Sequence, residues 1–277
     1  MNKILVTTDL SAPSKAGIHF AIQLASQTSS ELIFYTVIEI MSPTMWNQLK
    51  WAEYSQSEIE RNQKMLSKFI HNIFKNKNIP EPAYKCICEV ETNVDQQIIR
   101  FAHKIKADFI CMSSRGAGKL DKLFGTTVTN LIAGSSIPLF VIPKNYRTKP
   151  LVNILYASDF DNMEPELKII QKFNANLQAK IEVLHFDHMY YDPLKRSKLE
   201  SMTAKLQSDK LIFHLKQLDF EYLFAQALHS YLQKNRPSLM VLFTKQNRNW
   251  FDRLFMPSKT VAISFDAKTP MLVLRKR

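Results

Sequence analysis

Glycine is scarce in this sequence, with five residues in 277, yet Gly116, Gly118 and Gly125 all fall within one stretch, Cys111 to Val128, CMSSRGAGKLDKLFGTTV. Such concentration needs a local reason. Cysteine is scarcer still: Cys86, Cys88 and Cys111 form an odd set in apolar surroundings, which argues against a disulfide framework and suits a reducing compartment. Cys86 and Cys88 would share one face of a strand, so a C-x-C metal or redox pair stands beside the plainer reading of buried small hydrophobes. Long apolar runs are missing, and nothing approaches the roughly 20 residues that a bilayer span needs. Dense basic blocks are missing too. The net charge of +12 permits polyanions or acidic headgroups as partners. However, bases such as Lys64, Lys68, Lys75 and Lys77 are spread over helices with acids among them, the pattern of a solvated surface, and nucleic acid is not expected.

What is present is a soluble composition, 45% hydrophobic and 22% charged, in a chain of 277 residues. That length exceeds the usual single domain of about 100 to 200 residues, so two domains are expected. The start, MNKILVTTDLS, runs from one lysine into a short strand-like segment with an acid at Asp9. This is unlike a secretory signal and predicts a cytoplasmic protein.

Comparison of the two halves reveals a duplication. ILVTTDLS (Ile4 to Ser11) recurs as ILYASDFD (Ile154 to Asp161), which aligns Asp9 with Asp159. LDKLF (Leu120 to Phe124) recurs as FDRLF (Phe251 to Phe255), and IPLFVIPK (Ile137 to Lys144) as TPMLVLRK (Thr269 to Lys276). The order of the pieces is kept, which makes this a long-period repeat and not a solenoid. The predicted domains are 1–146 and 149–277, joined through the polar, proline-containing NYRTKP.

Each copy alternates short apolar runs with longer amphipathic ones, as strands and helices of a parallel sheet do. Strands are expected near Lys3 to Thr8, Glu31 to Ile38, Tyr84 to Val90, Asp108 to Ser113 and Ile137 to Ile142. In the second copy they are expected near Asn153 to Ser158, Lys180 to Phe186, Leu211 to Leu218, Ser238 to Phe243 and Met271 to Leu274. Ser11 is placed to cap the first helix, with Pro13 early in it. The fold class is α/β: two doubly wound, five-stranded parallel-sheet domains in tandem.

In an open parallel sheet ligands bind beyond the carboxyl ends of the strands, where strand order reverses. The glycine stretch leaves the fourth strand at that end, and Gly125-Thr126-Thr127 opens a helix whose free amides and dipole suit an anion. A Walker-type loop is excluded: GxxxxGK[ST] would need glycine where Ser113 stands and a hydroxyl residue where Leu120 stands.

Thr8-Asp9-Leu10-Ser11, the run Met112-Ser113-Ser114-Arg115-Gly116, and Gly125-Thr126 resemble the universal stress protein family, whose nucleotide-binding members carry G-x2-G-x9-G-[ST] here. The layout resembles a tandem universal stress protein, each half an adenine-nucleotide-binding type of domain. The resemblance implies ATP as ligand, with Mg2+ accompanying it. Thr8, Asp9 and Val37 would surround the adenosine, Met112 and Ser113 would back the ribose and phosphates, and Gly116, Gly125, Thr126 and Thr127 would cradle the phosphates. Two departures stand out: Ser113 replaces the first glycine, and the following spacing is one residue short. The resemblance also implies an intrachain pseudo-dimer, the two domains packing through their last strands as the family's homodimers do.

The second half has no glycine, and Asn247, Asn249 and Met256 align with Gly116, Gly118 and Gly125. A phosphate cradle is not expected there. Its KQNRNWFDRLFMPSK, with Lys245, Arg248 and Trp250, could meet an anionic or aromatic partner or form a packed surface. HFDHMYYD, with His185, Asp187, His188 and Asp192, is a lone candidate zinc cluster set against the absence of a second one. EIMSPTMWNQLKWAEYSQ carries Trp46, Trp51 and Tyr54, either as a lid or partner surface or as ordinary helix packing. No catalytic arrangement declares itself. The expected function is a stress-response or signalling protein that binds ATP in its first domain without dedicated catalysis, slow hydrolysis staying open. The alternative is an adaptor that recognises a protein partner and takes no nucleotide.

Overall fold

Strand and helix alternate along a computed structural model that describes residues 2–77, 82–114, 125–160, 162–188, 193–218, 224–244 and 268–276. The chain changes from one compact unit to a second between Asn145 and Tyr146. The first unit comprises β1 (Lys3–Thr7), α1 (Lys15–Thr28), β2 (Glu31–Ile38), α2 (Gln48–Lys77), β3 (Tyr84–Val90), α3 (Val94–Lys104), β4 (Phe109–Ser113), α4 (Thr126–Gly134) and β5 (Leu139–Ile142). Its strands lie in the order β3-β2-β1-β4-β5, all neighbours parallel. β1, β4 and β5 are buried along almost their whole length. Such continuous apolar strands are what helices on both faces of a sheet require.

The second unit comprises β6 (Asn153–Ala157), α5 (Met163–Asn174), β7 (Lys180–His188), α6 (Pro193–Leu206), β8 (Leu211–Leu218), α7 (Phe224–Asn235), β9 (Leu239–Thr244) and β10 (Met271–Arg275). Its order, β8-β7-β6-β9-β10, is again parallel throughout. Both units therefore place their first strand at the centre and reverse strand order between the first and the fourth. The duplication seen in the sequence is a duplication of topology.

Local chemistry explains the helix ends. Asn93 caps α3, its side chain accepting from the Gln96 amide at 3.1 Å. Ser29 ends α1 in the left-handed region, at φ 53°. The expected cap at Ser11 falls one turn before the helix: α1 starts at Lys15, and in the turn of residues 11 to 14 Ser11 Oγ accepts from the Ser14 amide at 3.4 Å while the Ser14 hydroxyl donates to the Ser11 carbonyl at 2.8 Å. β5 begins at Leu139, two residues later than expected, because Pro138 has no N–H for the ladder and contributes only its carbonyl, to Ile110 at 2.9 Å.

α2 buries Leu66, Ile70, Ile73 and Phe74, the spacing of one helical face, while nothing in it before Leu66 is buried. Lys15, at the start of α1, lies over Phe69 with its ammonium 5.4 Å from the ring centre. The first turns of α2 therefore extend past the end of the sheet at which α1 begins.

Candidate functional site

β1 ends at the carboxyl edge of the first unit, and its last ladder bond runs from the Thr8 amide to the Tyr35 carbonyl at 3.0 Å. The chain then turns sharply. Leu10 sits at φ 60°, a left-handed conformation costly for a branched side chain, and its amide donates to Thr8 Oγ1 at 3.0 Å. Thr8 Oγ1 also meets Ser14 Oγ at 2.7 Å. This corner presents Asp9 at the surface, where Oδ1 accepts from the Ser11 amide at 3.0 Å and the Ser11 hydroxyl at 2.5 Å. Thr7 pairs with Tyr35 and Val6 with Cys111, so two residues further on Asp9 is level with half-buried Val37, and Thr8 with Ser113.

At the end of β4 the buried Ser113 hydroxyl is already committed. It accepts from the Gly17 amide at 2.9 Å and donates to the Ser14 carbonyl at 3.1 Å. Serine here ties α1 to β4, which leaves its backbone, not its hydroxyl, for any ligand. The same contact explains Gly17. A Cβ there would lie 2.9 Å from the Ser113 nitrogen and 3.0 Å from the Met112 carbonyl carbon. Met112 itself is buried.

Beyond Ser114 the chain returns at Gly125, whose amide donates to the Ser114 carbonyl at 3.0 Å. Gly125 holds the N-cap position of α4 with φ −65° and ψ 160°, and Thr126 and Thr127 follow in the first turn. The earliest α4 amide with an acceptor inside the helix is that of Thr129, bonded to the Gly125 carbonyl at 3.2 Å. The amides before it point out of the helix start, as an anion site needs. Among the described residues a Cβ on Gly125 would find only the Ser114 carbonyl, at 3.9 Å. Gly116 and Gly118, with residues 115–124, lie outside the described residues.

The second unit repeats the corner. Phe160 sits at φ 64°, its amide donates to Ser158 Oγ at 3.0 Å, and the Ser158 amide donates to the Leu184 carbonyl at 2.9 Å. Asp159 nonetheless has a different fate from Asp9. The Lys276 ammonium reaches both its oxygens at 2.6 Å and lies 3.6 Å from Glu166 Oε1. Tyr156 donates its hydroxyl to Glu166 Oε2 and accepts from Ser158 Oγ at 3.0 Å. None of these partnerships was foreseen from sequence. Asn247, Asn249 and Met256 lie outside the described residues.

Burial holds the Glu166 carboxyl above its ordinary 4.5, with Asp159 adding to the rise and Tyr156 and Lys276 opposing it. The folded chain then binds this proton more tightly than the unfolded chain. Stability from this group is present at acid pH and is lost as pH rises from about 4.5 through the raised value. Glu166→Gln is expected to flatten this part of the curve of urea midpoint against pH; an unchanged slope would show that Glu166 does not titrate there.

His185 Nδ1 lies 2.8 Å from the Ser158 carbonyl, and no group of three or more metal-ligating side chains occurs among the described residues; Asp192 and the side chains of Asp187 and His188 fall outside them. Burial raises both Cys86 and Cys88, the latter to about 11, which disfavours the thiolate that metal or redox chemistry needs. Trp46 meets Tyr54 edge-on at 5.0 Å, and Trp51 lies 6.1 Å from Tyr54. No helix among the described residues is long and apolar enough to cross a membrane.

Two doubly wound units, each with a left-handed corner after its first strand, define a tandem α/β protein. The sequence model described as the universal stress protein family matches residues 1–143, and the chain belongs to that family. It is similar in fold to a universal stress protein from Archaeoglobus fulgidus DSM 4304, at 15% identity and a TM-score of 0.70, over 100% of this chain and 99% of that chain. A functionally unknown protein from Pseudomonas aeruginosa PAO1 is similar at 15% identity and a TM-score of 0.61, over 99% of this chain and 92% of that one. A universal stress protein solved in complex with cAMP is 16% identical over 51% of this chain and 96% of that chain, with a TM-score of 0.38. No curated protein matches the chain.

Proposed function

We propose that the first unit binds an adenine nucleotide, ATP with Mg2+ on its phosphates, and that the chain serves in stress response or signalling without dedicated catalysis. Family membership supports the stress-response role. The nucleotide reading is carried by one observation: the Asp9 corner and the α4 helix start are brought to the same end of the sheet, on the two sides of the point where strand order reverses. Thr8, Asp9 and Val37 would take the adenosine, and the backbone of Met112 and Ser113 would lie beneath the ribose. Gly116, Gly125, Thr126 and Thr127 would take the phosphates.

Gly125→Met tests this, because among the described residues a Cβ there meets nothing closer than 3.9 Å. The side chain would stand where phosphate must approach the helix amides. Losing one or two charge-assisted hydrogen bonds weakens ATP by about tenfold or more. Calorimetry on the full chain should show that loss together with one nucleotide per native chain; equal affinity in the variant overturns the assignment. Phosphate released in the same sample would report slow hydrolysis.

A second reading, the adaptor, is favoured by the exposed start of α2 and the segment before it, where Met41, Met45 and Leu49 are 90%, 95% and 70% exposed. Apolar groups so open to water suit a protein partner.

A further inference from the structure

We propose that Lys276 is the resident occupant of the second unit's ligand position, held there by Asp159 and Glu166, and that the Tyr156–Glu166 pair decides which copy is closed. The comparison within the chain carries this. Lysine follows the last strand in both copies, as Lys144 and as Lys276. Lys144 is exposed, whereas the Lys276 side chain is 4% exposed. Asp9 and Asp159 likewise follow the first strand in both, each beside a left-handed corner residue.

What differs is the ground beneath them. With Asp9 aligned on Asp159, Val6 corresponds to Tyr156 and Ala16 to Glu166. All four are buried, so the first unit has an apolar floor and the second an acidic one. A buried carboxylate needs a counter-charge, and Glu166 Oε1 receives no hydrogen bond among the described residues. The lysine turns inward to supply that charge. An ammonium has three donors. Two reach the oxygens of Asp159, and Nζ lies 3.6 Å from Glu166 Oε1, so its charge is already matched by two carboxylates. Asp159, bridged on both oxygens, is equally spent as an acceptor for a base or sugar.

The proposal stands whether or not the first unit binds ATP, and acylation of amines tests it directly. The full chain is treated with acetic anhydride at neutral pH, and modification of each lysine is followed by peptide mass spectrometry. Lys276 should react about tenfold or more slowly than Lys144, because it must first leave its partners. Tyr156→Val with Glu166→Ala, which gives the second unit the first unit's floor, should bring Lys276 toward the Lys144 rate, and Glu166→Gln, which removes the charge alone, should take it part of the way, since Asp159 still holds the ammonium. Saturating ATP should leave Lys276 unchanged. Equal rates for Lys276 and Lys144 in the native chain would overturn the proposal without any variant. So would exposure of Lys276 by ATP, or unchanged protection in the double variant.

Discussion

Lys276→Met is expected to destabilise the second unit by about 3 kcal/mol, the low end of the cost of removing one partner from a buried ion pair. The low end applies because the two carboxylates left behind have partial escapes: the Asp159 side chain is 35% exposed and can be rehydrated, and Glu166 can take up a proton. Methionine keeps the length and apolar stem of lysine, so lost packing contributes little. The measurement is hydrogen exchange of the β6 and β10 amides in the full chain, with a urea titration beside it. Lys144→Met is the control, expected within about 0.5 kcal/mol of the native chain as an exposed substitution. In an Asp159→Asn background the cost of Lys276→Met should shrink by about 1 to 2 kcal/mol, since the two residues are coupled. Equal exchange in the Lys276 and Lys144 variants would show that the pair contributes nothing to stability.

Gly17→Ala should destabilise the first unit by about 2 kcal/mol, against the usual sign of this change in a helix. Alanine has the better helix propensity by about 1 kcal/mol. At Gly17, however, the new Cβ meets main-chain atoms of β4 at 2.9 and 3.0 Å, which cannot rotate aside. α1 must retreat, at an overpacking cost of about 1 to 3 kcal/mol. It also stretches the bond from the Gly17 amide to Ser113 and that from Cys111 Sγ to the Gly17 carbonyl, now 2.9 and 3.4 Å, for about another 1 kcal/mol. Gly134→Ala gives the contrast, since among the described residues its Cβ would find only the flexible end of Ile99 at 3.4 Å. Thermal unfolding of the two variants should differ in sign or nearly so; Gly17→Ala at or above native stability would refute the close-approach account.

Much of the framework was legible in the residues. The expected spans Glu31 to Ile38, Tyr84 to Val90 and Leu211 to Leu218 coincide with β2, β3 and β8: the first is a mainly apolar run, and the other two mix apolar with polar residues, as strands at the edge of a unit's sheet do. The start of α4 at Gly125-Thr126 was equally readable, from glycine followed by hydroxyl residues. Ser11 was legible as a cap, but the turn it caps was not: Thr8, Ser11 and Ser14 bond among themselves before the helix begins. Ser113 was legible as a replaced glycine but not as a bracket for α1, because its partners lie 96 and 99 residues away.

The sequence by itself determined the class of this protein: two copies of one parallel α/β unit, a glycine-opened helix in the first copy and no glycine in the second. Those features are local or periodic, and propensity and repetition encode them directly. Only the tertiary structure decided what the aligned residues do. Asp9 and Asp159 share a motif, and Lys144 and Lys276 share another, yet one pair stays at the surface and the other closes over a buried acid. The difference lies in Ala16 and Glu166, whose influence depends on a buried carboxylate needing a counter-charge from 110 residues further along the chain. Such a requirement arises only when folding has removed both groups from water.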